Sequence, residues 1–211
     1  MFFDISAKSQ VNTFSINEKK YTVSFAESCT GGKMAARIVD VPDASKVLNA
    51  SIVTYANEAK MKYANVSKDT LKQYGAVSEN TAREMAEGVA KANNADVAAG
   101  ISGIAGPTGG TEDKPVGMVC FGFYIDGKVF SDTKHFGNIG RNNVRDESVE
   151  YVLDVLIKEL SKRDYKNDYK NNYKSNNKKS VYRTNMRESL ITVFAKCQKC
   201  VKIVKYTLYI N

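Results

Sequence analysis

A strand-like run, Tyr21-Thr22-Val23-Ser24-Phe25, leads into Ala26-Glu27-Ser28-Cys29-Thr30-Gly31-Gly32, and Met34, Ala35, Ile38 and Val39 follow at helical spacing. The change of period places Ser28 on the turn between a strand and the start of a helix. Two successive glycines permit a tight backbone and close approach by a ligand. The helix start offers unpaired N–H groups and the positive end of a dipole. A hydroxyl there can attack an electrophile while nearby N–H groups hold the developing oxyanion. Taken alone, the stretch favours a plainer reading, in which Ser28 or Thr30 is a helix N-cap.

If Ser28 is a nucleophile, the composition restricts its base. The 211 residues contain one histidine, His135. A multi-histidine metal site is impossible within one chain, and lysine or tyrosine is a better candidate for the base than His135, which lies in a strand-like run and reads as structural. Of the four cysteines only Cys197 and Cys200 are closely spaced, and one Cys-x-x-Cys without a second pair is a weak zinc signal. No metal and no cofactor are expected. No apolar run approaches the ~20 residues that span a bilayer. Met1-Phe2-Phe3-Asp4 lacks a signal-peptide pattern, so a cytoplasmic location with reduced thiols is expected.

Along the chain, Leu48 to Tyr55 reads as a second strand running into a helical segment from Asn57 to Lys60. Lys68 to Gln73 is a short helix ended by Gly75, and Ser78 caps a longer one with Ala82, Met85, Ala86, Val89 and Ala90 on one apolar face. Asp96 to Ser102 is a buried strand that opens the loop Gly103–Gly110. Met118 to Ile125, the turn Asp126-Gly127 and Lys128 to Phe136 form a hairpin, and Asn143 begins a helix carrying Val149, Val152, Leu153, Leu156 and Leu160. A fold of the α/β class follows: a three-layer αβα sandwich with a mixed, mostly parallel sheet.

A 43% hydrophobic composition supports such a core over residues 1–160. These carry 18 basic and 20 acidic side chains, a balance of −2, whereas residues 161–211 carry 13 against 3, a balance of +10. The core therefore gives no reason to expect nucleic acid or a membrane as partner. Residues 161–180 include a Tyr/Lys/Asn-rich stretch expected to remain an unordered linker. Residues 181–211 form a basic extension, with Leu190, Val193, Cys197, Val201, Val204 and Leu208 at helical spacing. It suits weak electrostatic binding to anionic lipid or nucleic acid, and a functionless extension is the competing reading.

Three loops, around Ser28, from Tyr55 to Lys60 and from Gly103 to Gly110, each follow a predicted strand. In open α/β sheets ligands gather where such loops meet, and glycine loops present N–H groups suited to phosphate. None of the loops matches the Walker pattern and the Rossmann fingerprint is absent after the first strand, so an ATPase or dinucleotide enzyme is not supported. Ser28 and Lys60 can form a nucleophile–base pair if burial or a nearby cation lowers the lysine pKa. Arg141 and Arg145, after a glycine loop, can lower it further or hold an anionic substrate. As a competing reading, all three are ordinary solvated charges.

Glu27-Ser28-Cys29-Thr30-Gly31-Gly32, Tyr55-Ala56-Asn57-Glu58-Ala59-Lys60, Gly75-Ala76-Val77-Ser78, Ser102-Gly103-Ile104-Ala105-Gly106-Pro107-Thr108-Gly109-Gly110 and Lys114-Pro115-Val116-Gly117 occur in this order. Together they closely resemble the carboxy-terminal CinA domain family, with its stand-alone nicotinamide-nucleotide amidases, over about residues 20–160. The resemblance implies metal-free hydrolysis of nicotinamide mononucleotide to nicotinate mononucleotide and ammonia by a bacterial cytoplasmic homo-oligomer that recycles pyridine nucleotide. It implies that Ser28 is the nucleophile, Lys60 its partner and Tyr55 a neighbour in the site. Arg145 aligns with a family arginine, with Arg141 as a competitor. Thr30, Gly31 and Gly32 with Gly103, Gly106, Gly109 and Gly110 would line the nucleotide. The rival function is a nucleotide-binding or competence-associated protein that keeps the fold without turnover, for which a bound mononucleotide would remain unchanged.

Overall fold

The computed structural model describes residues 21–175. The chain divides into a unit of residues 1–162 and a unit of residues 163–211. The chain order is β1 (Val23–Glu27), α1 (Lys33–Val39), a 3-10 turn (Ala44–Lys46), β2 (Leu48–Val53), α2 (Asn57–Ala64), α3 (Lys68–Tyr74), α4 (Glu79–Ala92), β3 (Val97–Gly103), β4 (Met118–Ile125), β5 (Lys128–His135) and α5 (Arg141–Ser175). The strands lie in the order β2-β1-β3-β4-β5. β1 is parallel to both of its neighbours, while β3, β4 and β5 pair antiparallel in turn. Four of the five strands therefore point the same way, and the sheet is mixed, as expected.

Alternation along the strands builds two cores. Val23 and Phe25 of β1 join Met34 and Ile38 of α1, Phe121 and Phe123 of β4, and Val152, Leu153 and Leu156 of α5. Ala26 and Ala98 point the other way, to Ala64 after Lys60 and to Met85 and Val89 of α4. Helices α1 and α5 thus cover one face and α2, α3 and α4 the other. α1 and α5 are also joined by ion pairs one turn apart, Lys33 with Asp146 and Arg37 with Glu150. Every residue of β1 is buried, which accounts for its near-continuous apolar character.

Local signals explain most element ends. The Ser78 hydroxyl accepts from Thr81 N and caps α4, and Gly75 follows the last residue of α3 at a positive φ of 77°. The apolar face expected of α4 is buried throughout. At Gly88 of that face, an added Cβ would stand 1.8 Å from the Ala64 carbonyl oxygen. The glycine therefore sets how closely α4 approaches α2, the helix that carries Lys60.

Two expectations differ from the structure. The second strand stops at Val53, not Tyr55, because the Thr54 and Tyr55 carbonyls accept hydrogen bonds from Lys60 Nζ. The stretch expected to be unordered from residue 161 continues as backbone helix to Ser175. Once earlier turns are packed, each further residue adds a hydrogen bond without a new nucleation cost, and lysine is a good helix former. The segment around Phe14 and Ile16, the Cys197/Cys200 pair and the basic helical pattern of the extension lie outside the described residues. Among the described residues no helix is long and apolar enough to cross a membrane.

Candidate active site

Ser28 follows β1 directly, and its N–H bonds to the Ile101 carbonyl at 2.9 Å, extending the β1–β3 ladder by one residue. The chain then turns, with Gly31 N donating to the Ser28 carbonyl at 3.1 Å. The helix start behind it is not open to a ligand as the sequence suggests. Glu27, fully buried, turns its carboxylate back onto it. Oε2 accepts from Gly32 N at 2.9 Å and Met34 N at 3.0 Å, and Oε1 accepts from Ala35 N and the Ser51 hydroxyl, each at 3.0 Å. Gly32, at φ 93°, provides no capping side chain of its own, so Glu27 is the cap and also ties α1 to β2. A carboxylate at this end of a helix gains both the hydrogen bonds and the dipole.

Sequence reasoning missed this role although Glu27 lies in the motif. The available signal was a carboxylate at the end of a largely apolar strand, followed by two glycines that can supply no capping side chain. Of the turn's N–H groups, those of Ser28, Gly31 and Gly32 are thus committed. Those of Cys29 and Thr30 are the turn's remaining N–H groups.

Lys60 reaches the same turn from α2. It is 1% exposed, and its Nζ lies 3.1 Å from Ser28 Oγ, 2.7 Å from the Thr54 carbonyl and 3.2 Å from the Tyr55 carbonyl. The arrangement suits both protonation states. A neutral amine donates to the two carbonyls and offers its lone pair to the serine hydroxyl, and an ammonium donates to all three. Burial lowers the pKa of the amine. The opposing influence is a Cys29 thiolate, but burial pushes the Cys29 thiol up to about 12, so it stays neutral near pH 7 and supplies no counter-charge. The lysine is a desolvated amine beside a hydroxyl, not a solvated charge.

The arginines extend from the first turns of α5 across the other loops. Arg141 donates from Nη1 to the Gly106 carbonyl at 2.8 Å and from Nη2 to the Tyr55 hydroxyl at 3.2 Å. Arg145 donates from Nη2 to the Thr30 carbonyl at 2.8 Å and from Nη1 to Asn142 Oδ1 at 3.4 Å. It lies close enough to Gly31 that an added Cβ would meet it at 3.4 Å. Three buried polar atoms in this region have no partner: Arg145 Nε, Thr30 Oγ1 and Thr54 Oγ1. A buried unpaired donor is costly and marks a site that a ligand can satisfy.

The structure thus brings Ser28, Thr30, Gly31, Lys60, Tyr55, Gly106, Arg141 and Arg145 into one connected group. Gly103 ends β3 opposite Val119, and Gly109 and Gly110 are exposed further along the loop. His135 is exposed at the end of β5. Among the described residues no cluster of histidine, cysteine, aspartate or glutamate is placed to hold a metal ion.

Comparison with known proteins identifies the lineage. The CinA-like protein of Endomicrobium trichonymphae is 48% identical over 149 residues, which is 70% of this chain and 35% of that protein. The CinA-like protein of Kosmotoga olearia is 48% identical over 139 residues, 66% of this chain and 34% of that protein. The chain therefore spans about a third of the length of these curated relatives. Among solved structures, the competence/damage inducible protein CihA from Agrobacterium tumefaciens superposes with a TM-score of 0.72 at 36% identity, covering 76% of this chain and 98% of that one. A CinA superfamily protein from Escherichia coli gives a TM-score of 0.70 at 34% identity over 74% of this chain and 92% of that one. The family model of the CinA C-terminal domain matches residues 6–160, and the chain belongs to the CinA C-terminal domain family.

Proposed function

We propose that the chain is an amidase that hydrolyses nicotinamide mononucleotide to nicotinate mononucleotide and ammonia in pyridine nucleotide recycling, with Ser28 as nucleophile and Lys60 as its base. The observation that carries this reading is the desolvated Lys60 amine 3.1 Å from Ser28 Oγ.

The chemistry follows from that contact. Ser28 Oγ forms a bond to the carboxamide carbon while its proton passes to Lys60 Nζ. The carbonyl oxygen becomes an oxyanion, for which the Cys29 and Thr30 N–H groups of the turn are the candidate donors. The ammonium of Lys60 returns its proton to the amide nitrogen, the C–N bond breaks and ammonia leaves. A water then attacks the acyl carbon, gives its proton to Lys60, and the C–Oγ bond breaks as Ser28 is reprotonated. The unpartnered Arg145 Nε and Thr30 Oγ1 suit an anionic and a polar group of the nucleotide.

The test is ammonia release from nicotinamide mononucleotide by the wild type beside Ser28→Ala. The reading predicts release by the wild type and a loss of at least about 10²–10⁴-fold in the variant. A well-folded wild type that binds the nucleotide and leaves it unchanged would establish a binding protein instead. Full activity in Ser28→Ala would keep the substrate and discard the covalent route.

A further inference from the structure

The resemblance favours Arg145 as the substrate's arginine and leaves Arg141 as a competitor, and their geometry separates them. Arg145 retains a buried Nε without a partner. Arg141 directs both terminal nitrogens at protein acceptors, the Gly106 carbonyl and the Tyr55 hydroxyl. Those acceptors belong to loops that follow β3 and β2, and the sheet order places β1, with its Ser28 turn, between these two strands. The Arg141 bridge therefore joins the two loops that flank the Ser28 turn.

The two ends are held differently: Gly106 is buried, where an added Cβ would stand 2.5 Å from the Val116 side chain, whereas the Tyr55 ring has little around it. Tyr55 is 60% exposed, so packing does little to fix its ring. Gly106 is the fixed end, so the fork ties the exposed Tyr55 to a packed loop. The Tyr55 carbonyl is one of the two that accept from Lys60 Nζ, so displacement of Tyr55 displaces the environment of the base. A planar fork with two donors suits such a bridge, and a single ammonium does not.

We infer that Arg141 is a positioning residue, not a substrate ligand: its guanidinium clamps the glycine loop to Tyr55 and, through Tyr55, holds Lys60 beside Ser28. Arg141→Lys keeps the charge and loses the fork, and Tyr55→Phe keeps the ring and loses the acceptor. The first measurement needs no substrate. Ile104 N and Thr111 N bond within the loop, to the Met118 and Lys114 carbonyls at 2.9 Å each. Their amide exchange should accelerate by about tenfold in either variant and no further in the double variant, the size expected for one charge-assisted hydrogen bond.

The second measurement rests on the amidase reading. Arg141→Lys should lower kcat for ammonia release by about tenfold with KM within about twofold, and should cost little more once Tyr55 is Phe. A wild type that releases no ammonia overturns the amidase reading and leaves the exchange result to decide the clamp. Unchanged exchange in both single variants overturns the clamp, as does a fully multiplicative loss in the double variant. A rise in KM that vanishes for the substrate lacking its phosphate also overturns it, by making Arg141 a substrate ligand.

Discussion

Two buried ionisable side chains flank the same serine, and they are treated oppositely. Glu27 accepts four hydrogen bonds, three from the first turn of α1 and one from Ser51. Lys60 has two backbone carbonyls and the Ser28 hydroxyl for partners, and no counter-charge. The carboxylate is fully met by fixed dipoles and therefore builds the turn. The amine is matched in either protonation state and can gain or lose a proton without rearrangement. A buried charge that is completely satisfied is structural, whereas one left short of a counter-ion is available for chemistry.

The comparison can be broken or sharpened at several points. The largest effect is expected at Lys60, where Lys60→Ala should reduce kcat by about 10²–10⁴-fold, measured as ammonia release, with the fold retained by circular dichroism. Next is Glu27→Ala, which should destabilise the protein by about 3–5 kcal/mol in urea unfolding, since four donors lose one buried acceptor. Glu27→Gln should cost less, because it keeps one acceptor oxygen. Equal stability of Glu27→Ala and the wild type would remove the structural half of the comparison.

Gly88→Ala tests whether the packing of α2 on α4 matters to the base. Its Cβ would meet the Ala64 carbonyl at 1.8 Å, so a loss of about 1–3 kcal/mol is expected, with kcat reduced as Lys60 shifts. Thr30→Val should leave stability unchanged within about 1 kcal/mol, because the hydroxyl has no partner in the free protein, while raising KM for the nucleotide. The smallest effect belongs to Cys29. Its thiol, pushed up to about 12 by burial, should resist alkylation at pH 8 in the native protein, as followed by mass spectrometry.

The elements that sequence made legible share one property: their signals are local. Met118–Ile125 is the expected strand from end to end, and Ser78 and Gly75 bound their helices as turn and cap chemistry dictates. Strand ends also placed Ser28, Tyr55 and Lys60 at neighbouring loops. What was not legible depended on distant groups. The role of Glu27 needs Ser51 from another strand, and the early end of β2 needs a lysine side chain folding back on two carbonyls. The division between Arg141 and Arg145 depends on Gly106, Tyr55 and Thr30, none of them near in sequence. The helix that passes residue 160 was hidden by a composition that lacks an apolar stripe.

The central claim is that Lys60 is the base, and the most direct measurement is kcat for ammonia release against pH in the wild type and in Lys60→Ala. Burial lowers the amine below its ordinary value of 10.5, and the neutral amine is the form that accepts the Ser28 proton. The account predicts that wild-type kcat falls as the solution is made more acidic through that lowered pKa, and that Lys60→Ala loses both the rate and this acid limb. A Lys60→Ala variant that keeps the wild-type rate and the same acid limb would contradict it.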